Sequence, residues 1–140
     1  MRQTYYGVNQ EKYDGLEKDI RKYSQLTREM FNKSIDAEEK TAIQKQKEAL
    51  KGEIQDRLLE NGTILGFLTP DKIEELSDAI QEVKNEEIKG YLQSNFISRE
   101  KIEDVLITLM NLPATESVKN VMFFLEKAKS KKQNIIIWIM

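Results

Sequence analysis

Between Asn9 and Phe31, the residues Tyr13, Leu16, Ile20, Tyr23, Thr27 and Met30 follow one another at alternating intervals of three and four. Only a helix brings positions so spaced onto one face, because its turn holds about 3.6 residues. The stripe is regular enough to serve as a coiled-coil-like seam, so the chain must supply something for it to lie against. Asn9 is placed to cap the start, while Gly15 weakens the pattern by about 1 kcal/mol relative to Ala.

Asn32-Lys33-Ser34-Ile35 reads as a short break. Asp36 with Glu39 three residues on resembles a capping box and opens a second helix. Ala42, Ile43, Ala49, Leu50, Ile54 and Leu58 carry its apolar face, and Asn61-Gly62 supplies a left-handed stop. Two long helices with a short link are expected to fold back as an antiparallel hairpin.

Thr63 to Leu68 is an apolar connector too short to classify, either an extended link or a buried turn of helix. Thr69-Pro70-Asp71 then starts a helix with a capping hydroxyl, a proline where no N–H is needed and an acid at the positive end of the dipole. Ile73, Leu76, Ile80 and Val83 form its stripe, and a bend is expected near Asn85 before Ile88, Tyr91 and Leu92. Ser98 and Thr115 are placed to cap two further helices, the first ended by Leu112-Pro113. The chain closes with Ile135-Ile136-Ile137-Trp138-Ile139-Met140, a run that suits a strand or a packed tail.

The expected fold is therefore all-α: an N-terminal long antiparallel helical hairpin, residues 1–62, packed on a C-terminal bundle of three to four shorter helices, residues 63–140, as one domain. A short terminal β-strand is an option for the last residues.

Side-chain inventory narrows function. There is no cysteine and no histidine among the 140 residues. This excludes disulfides, thiolate ligands, cysteine nucleophiles and the commonest general base, and it favours a cytoplasmic setting. Ser98-Arg99-Glu100-Lys101 matches a serine-to-lysine spacing used by some acyl enzymes, but its companion motifs are missing and Ser98 is accounted for as a cap. The acidic groups Glu74-Glu75-Asp78 and Glu100-Glu103-Asp104 lack the glycine-containing loop of an EF-hand and read as solvated helix faces. No metal, cofactor or catalytic residue is expected. The longest apolar run, Ile135 to Met140, is far short of the roughly 20 residues needed to cross a bilayer, so no membrane contact is expected.

Charge is uneven. Residues 62–112 carry 5 basic and 10 acidic side chains, whereas residues 113–140 carry 5 and 2. Lys127, Lys129, Lys131 and Lys132 thus form a candidate phosphate contact, the alternative function being a nucleic-acid-associated subunit. The preferred expectation is a non-enzymatic interaction module, a small regulator or adaptor that binds a protein partner or a second copy. Tyr13, Tyr23, Phe123, Phe124 and Trp138 are its candidate anchors, because aromatic side chains dominate interface hot spots. Heavy use of Lys, Ile, Glu and Asn fits an AT-rich bacterial, phage or mobile-element genome, which bears on origin and not on mechanism.

Overall fold

The computed structural model describes residues 2–32 and 34–139; Lys33 of the expected break and Met140 of the apolar tail lie outside them. The described residues are 67% helical, in six α-helices, but 15% form a four-stranded antiparallel sheet. The all-α expectation is overturned by that sheet. The elements run β1 (Gln3–Val8), α1 (Gln10–Met30), α2 (Ala37–Asn61), β2 (Gly62–Leu68), α3 (Pro70–Ile80), α4 (Glu86–Gln93), β3 (Phe96–Ile97), a turn of 3-10 helix (Arg99–Lys101), α5 (Ile102–Met110), α6 (Glu116–Ser130) and β4 (Asn134–Ile139).

The strand order is β2-β1-β4-β3. The chain's first and last strands are therefore neighbours at the centre, with Tyr5 opposite Ile137 and Tyr6 opposite Ile136. Side chains alternate across a strand, so each central strand feeds two cores. Tyr5, Ile135 and Ile137 point into the core with α3 to α6, whereas Tyr6, Val8, Ile136 and Trp138 point into the core with α1 and α2. The sheet is a middle layer between the hairpin and the four shorter helices. A strand buried on both faces shows no polar alternation, which explains why Ile135-Ile136-Ile137-Trp138 reads as an unbroken apolar run.

The two subregions inferred from sequence, 1–62 and 63–140, meet in this one sheet. Asn134, fully buried at the start of β4, ties the layers together: its Oδ1 accepts from Arg99 N–H at 2.8 Å and its Nδ2 donates to Gln10 Oε1 at 3.1 Å.

Gly62 corrects a second expectation. Its φ of −100° and ψ of 152° are extended, not left-handed, so α2 passes straight into β2. The caps sort by geometry. Asp36, Asn85 and Thr115 accept from the backbone N–H groups of Glu39, Ile88 and Val118, and the break at Asn85 separates α3 from α4. Asn9, Thr69 and Ser98 occupy cap positions without a side-chain bond to the helix.

The hairpin outreaches the sheet. Tyr13, Leu16 and Ile20 lie on it, but from Thr27 to Glu53 no described residue is buried. At about 1.5 Å per residue α1 is about 30 Å long, against about 20 Å for a six-residue strand, so one end of the hairpin overhangs. Leu26, outside the expected stripe, is buried as well.

Candidate functional site

Aromatic residues serve cores as readily as interfaces, and most of the five candidate anchors are used inside. Trp138 is 5% exposed, with Tyr23 edge-on at a centroid distance of 5.4 Å. Tyr13 is buried and meets Phe96 edge-on at 6.3 Å. Phe124 is 6% exposed and lies 5.0 Å from the Tyr5 ring. Tyr23 is half-buried, with the Lys47 ammonium 5.1 Å from its ring centre. Only Phe123, 59% exposed, stands outside, and Lys127 lies over its face at 4.3 Å.

The four candidate phosphate-binding lysines do not form one free row. Lys127 Nζ donates to the Leu65 carbonyl at 2.9 Å, and Lys129 pairs with Glu103. Lys132 has a φ of 56° and closes α6: its N–H bonds Lys129 O at 3.1 Å, and Gln133 N–H bonds Ala128 O at 2.9 Å. This is a Schellman stop with lysine where glycine is usual. Lys132→Gly is therefore expected to raise stability, by about 0.5–1 kcal/mol in urea unfolding, as left-handed backbone is unfavourable for a residue with a Cβ.

Both outer edges of the sheet are guarded. At β2 the Lys127 ammonium occupies the Leu65 carbonyl, and a bulge lies opposite Tyr5 and Tyr6. At β3 the Ser94 hydroxyl donates to Phe96 O at 2.8 Å and accepts from Phe96 N–H at 3.1 Å, so that residue's backbone is already paired. Such devices hinder strand addition by another chain.

A cleft of about 1110 Å³ opens between α1 and α4, floored by β3 and the turn before it. Its origin is a length mismatch. The two-residue β3 stops short, while α1 on one face and α4 on the other stand beyond it. Glu17, Arg21, Ser24 and Arg28 line one wall at helical spacing, next to the stripe that α1 buries, and Lys18, Lys22 and Gln25 extend it. Glu87, Gly90 and Tyr91 of α4 form the other wall, with Ser94, Asn95, Phe96 and Ser98 beneath.

The charges in the cleft are partly spoken for. Glu17 pairs with Arg21 at 3.2 Å, Asp19 with Arg57 of α2, and Glu87 with Lys101 at 3.0 Å. The Arg21 guanidinium also covers the Phe96 ring, 4.8 Å from its centroid. Among the described residues Lys18, Lys22 and Arg28 make no ion pair, so the unpaired charge is positive. Burial first, and the Glu17 carboxylate second, push the Tyr13 phenol up, keeping it protonated at neutral pH. The hydrogen bond to Glu87 likewise pushes Lys101 up, the wrong direction for a base that would activate Ser98.

Of the acidic faces, Glu74, Asp78, Glu100, Glu103 and Asp104 are exposed, as expected; Glu100 and Glu103 meet Arg99 and Lys129 at the surface, and Glu75 accepts from Ser117 N–H at 2.9 Å. Among the described residues no group of three carboxylates is placed to hold a metal ion, and no helix is long and apolar enough to cross a membrane. The chain matches no protein-family model, no curated protein and no solved structure. The site rests on its own residues.

Sequence reasoning missed this cleft, including Arg21, Gly90 and Phe96. The charged stripe beside the seam and the glycine inside α4 were visible, but nothing local sets α4 opposite α1. A Cβ built on Gly90 meets nothing within 4 Å. Gly90→Ala is accordingly expected to stabilise the protein, by about 0.5–1 kcal/mol in denaturant unfolding, from helix propensity alone.

Proposed function

We propose that this chain is a non-catalytic protein-interaction module, a small cytoplasmic adaptor or regulator, that holds a segment of a partner in the cleft between α1 and α4. The carrying observation is the cleft itself: a volume of about 1110 Å³ with the aromatic rings of Tyr91 and Phe96 in its lining. Small-molecule sites run from about 300 to 1,000 Å³ and enclose most of their ligand, whereas this cleft of about 1110 Å³ lies above that range and suits a chain segment. The ionisable groups inside it are lysines, arginines, carboxylates held in ion pairs and two tyrosines, of which Tyr13 stays protonated, an arrangement that recognises charge more readily than it transfers protons. The absence of cysteine supports the cytoplasmic assignment. The nucleic-acid alternative through Lys127, Lys129, Lys131 and Lys132 draws less support, since two of the four are engaged within the fold.

The test is a selection of binders from a random 16-residue peptide library on the full chain, repeated on Gly90→Trp. That substitution places a ring in open space at the mouth of the cleft. Peptides selected on the unsubstituted protein are expected to lose affinity at least about tenfold, a change of about 1.4 kcal/mol, with thermal stability retained. Binders that hold both proteins equally would move the docking surface away from α1 and α4.

A further inference from the structure

Resting on that reading, we infer that the segment held in the cleft is acidic, an extended stretch bearing several carboxylates around one apolar side chain. The charge left after internal pairing is positive. Each acid in the lining, Glu17, Asp19 and Glu87, already has a basic partner. Lys18, Lys22 and Arg28 have none among the described residues and are exposed, so a ligand's carboxylates meet three cations whose pairing breaks no internal bond. Complementary charge of this kind selects partners and speeds their encounter.

Length follows from the same residues. Lys18 and Arg28 are ten positions apart on α1, a rise of about 15 Å, which an extended peptide spans in about five residues. Tyr91, half-buried, gives an apolar side chain a place between the charges. A nucleic acid is the less suitable polyanion here. The Phe96 face that would stack a base is covered by Arg21, and a phosphate row carries a charge at every nucleotide, whereas a peptide can set uncharged side chains beside Glu17 and Glu87.

The experiment titrates the full chain with three probes of known composition, followed by backbone amide chemical shifts. The probes are a 16-residue peptide rich in Glu and Asp around a central Leu, the same peptide with Lys and Arg in place of the acids, and a 16-nucleotide oligothymidine. The acidic peptide is expected to shift amides of α1, α4 and β3. Its binding is expected to weaken about tenfold or more in Lys22→Glu/Arg28→Glu, which removes two attractions and adds two repulsions. Raising the salt from 50 to 500 mM is expected to weaken it in the same direction. Shifts at these amides from the basic peptide instead would overturn the acidic assignment and leave the docking function standing. Shifts from the oligothymidine alone would overturn both. If no probe moves these amides the acidic assignment fails, and the library selection on Gly90→Trp then decides the docking function separately.

Discussion

A chain ending at Asn134 is expected to show no cooperative thermal transition. The deletion removes Ile135, Ile136, Ile137 and Trp138, none more than 5% exposed, and takes away the strand that joins β1 to β3. Truncating one large core side chain costs about 2–5 kcal/mol, so losing four costs about 8–20 kcal/mol, as much as the whole 5–15 kcal/mol by which such a domain is stable. The loss reaches both cores, because Ile135 and Ile137 serve the layer of shorter helices while Ile136 and Trp138 serve the hairpin. It also leaves β1 with an unpaired edge. Circular dichroism during heating and the dispersion of amide resonances measure the effect. A truncated chain that melts cooperatively near the full-length temperature would mean that β4 is not an internal strand.

Gly66→Ala is expected to lower stability by about 3–5 kcal/mol, nearly as much as deleting the Phe124 side chain. A Cβ at position 66 would fall within the Phe124 ring, which packs across β2 against Tyr5. The ring must leave its place, and α6 loses its principal aromatic contact with the sheet. For 140 residues this corresponds to a melting temperature lower by about 10–20 °C. Phe124→Ala removes the obstruction at the same time as the packing. The double substitution keeps a Cβ on the positive φ of 158° at position 66, a strain of about 1 kcal/mol or more, so it is expected to be worse than Phe124→Ala by that amount and still to leave a coupling of about 2 kcal/mol in a double-mutant cycle. Additive losses would place Phe124 elsewhere than over Gly66.

These two residues mark the limit of what the sequence discloses. Helices were legible because their signals are local: the spacing from Tyr13 to Ile20, the Asp36 cap, proline at the start of α3 and the Asn85 break all act within a few residues. The sheet was not. β1 pairs with β2 across an insertion of two helices and with β4 from the opposite end of the chain, and such pairings leave no periodic trace in a six-residue segment. Thr63 to Leu68 fitted strand or helix equally well, and Tyr5-Tyr6 lay at an end where no pattern could develop. The missing sheet then misplaced function. The terminal run suits a strand or a packed tail, and it is β4, but with no middle layer in view Trp138 and Phe124 looked like anchors. Once β4 is internal those side chains are core, and the open ground shifts to the place where β3 stops short between α1 and α4.

The arrangement of β4 also decides whether the cleft exists, since α1 and α4 flank it only if they pack on opposite faces of one sheet. Amide hydrogen exchange on the full chain tests this most directly. The amides of Gln3–Val8 and Asn134–Ile139 are expected to exchange slowest of all, at the rate set by global unfolding, while the overhanging part of the hairpin around Ala37 exchanges fastest. Exchange at Ile135 to Trp138 as fast as at the hairpin tip would contradict the three-layer fold and remove the cleft with it.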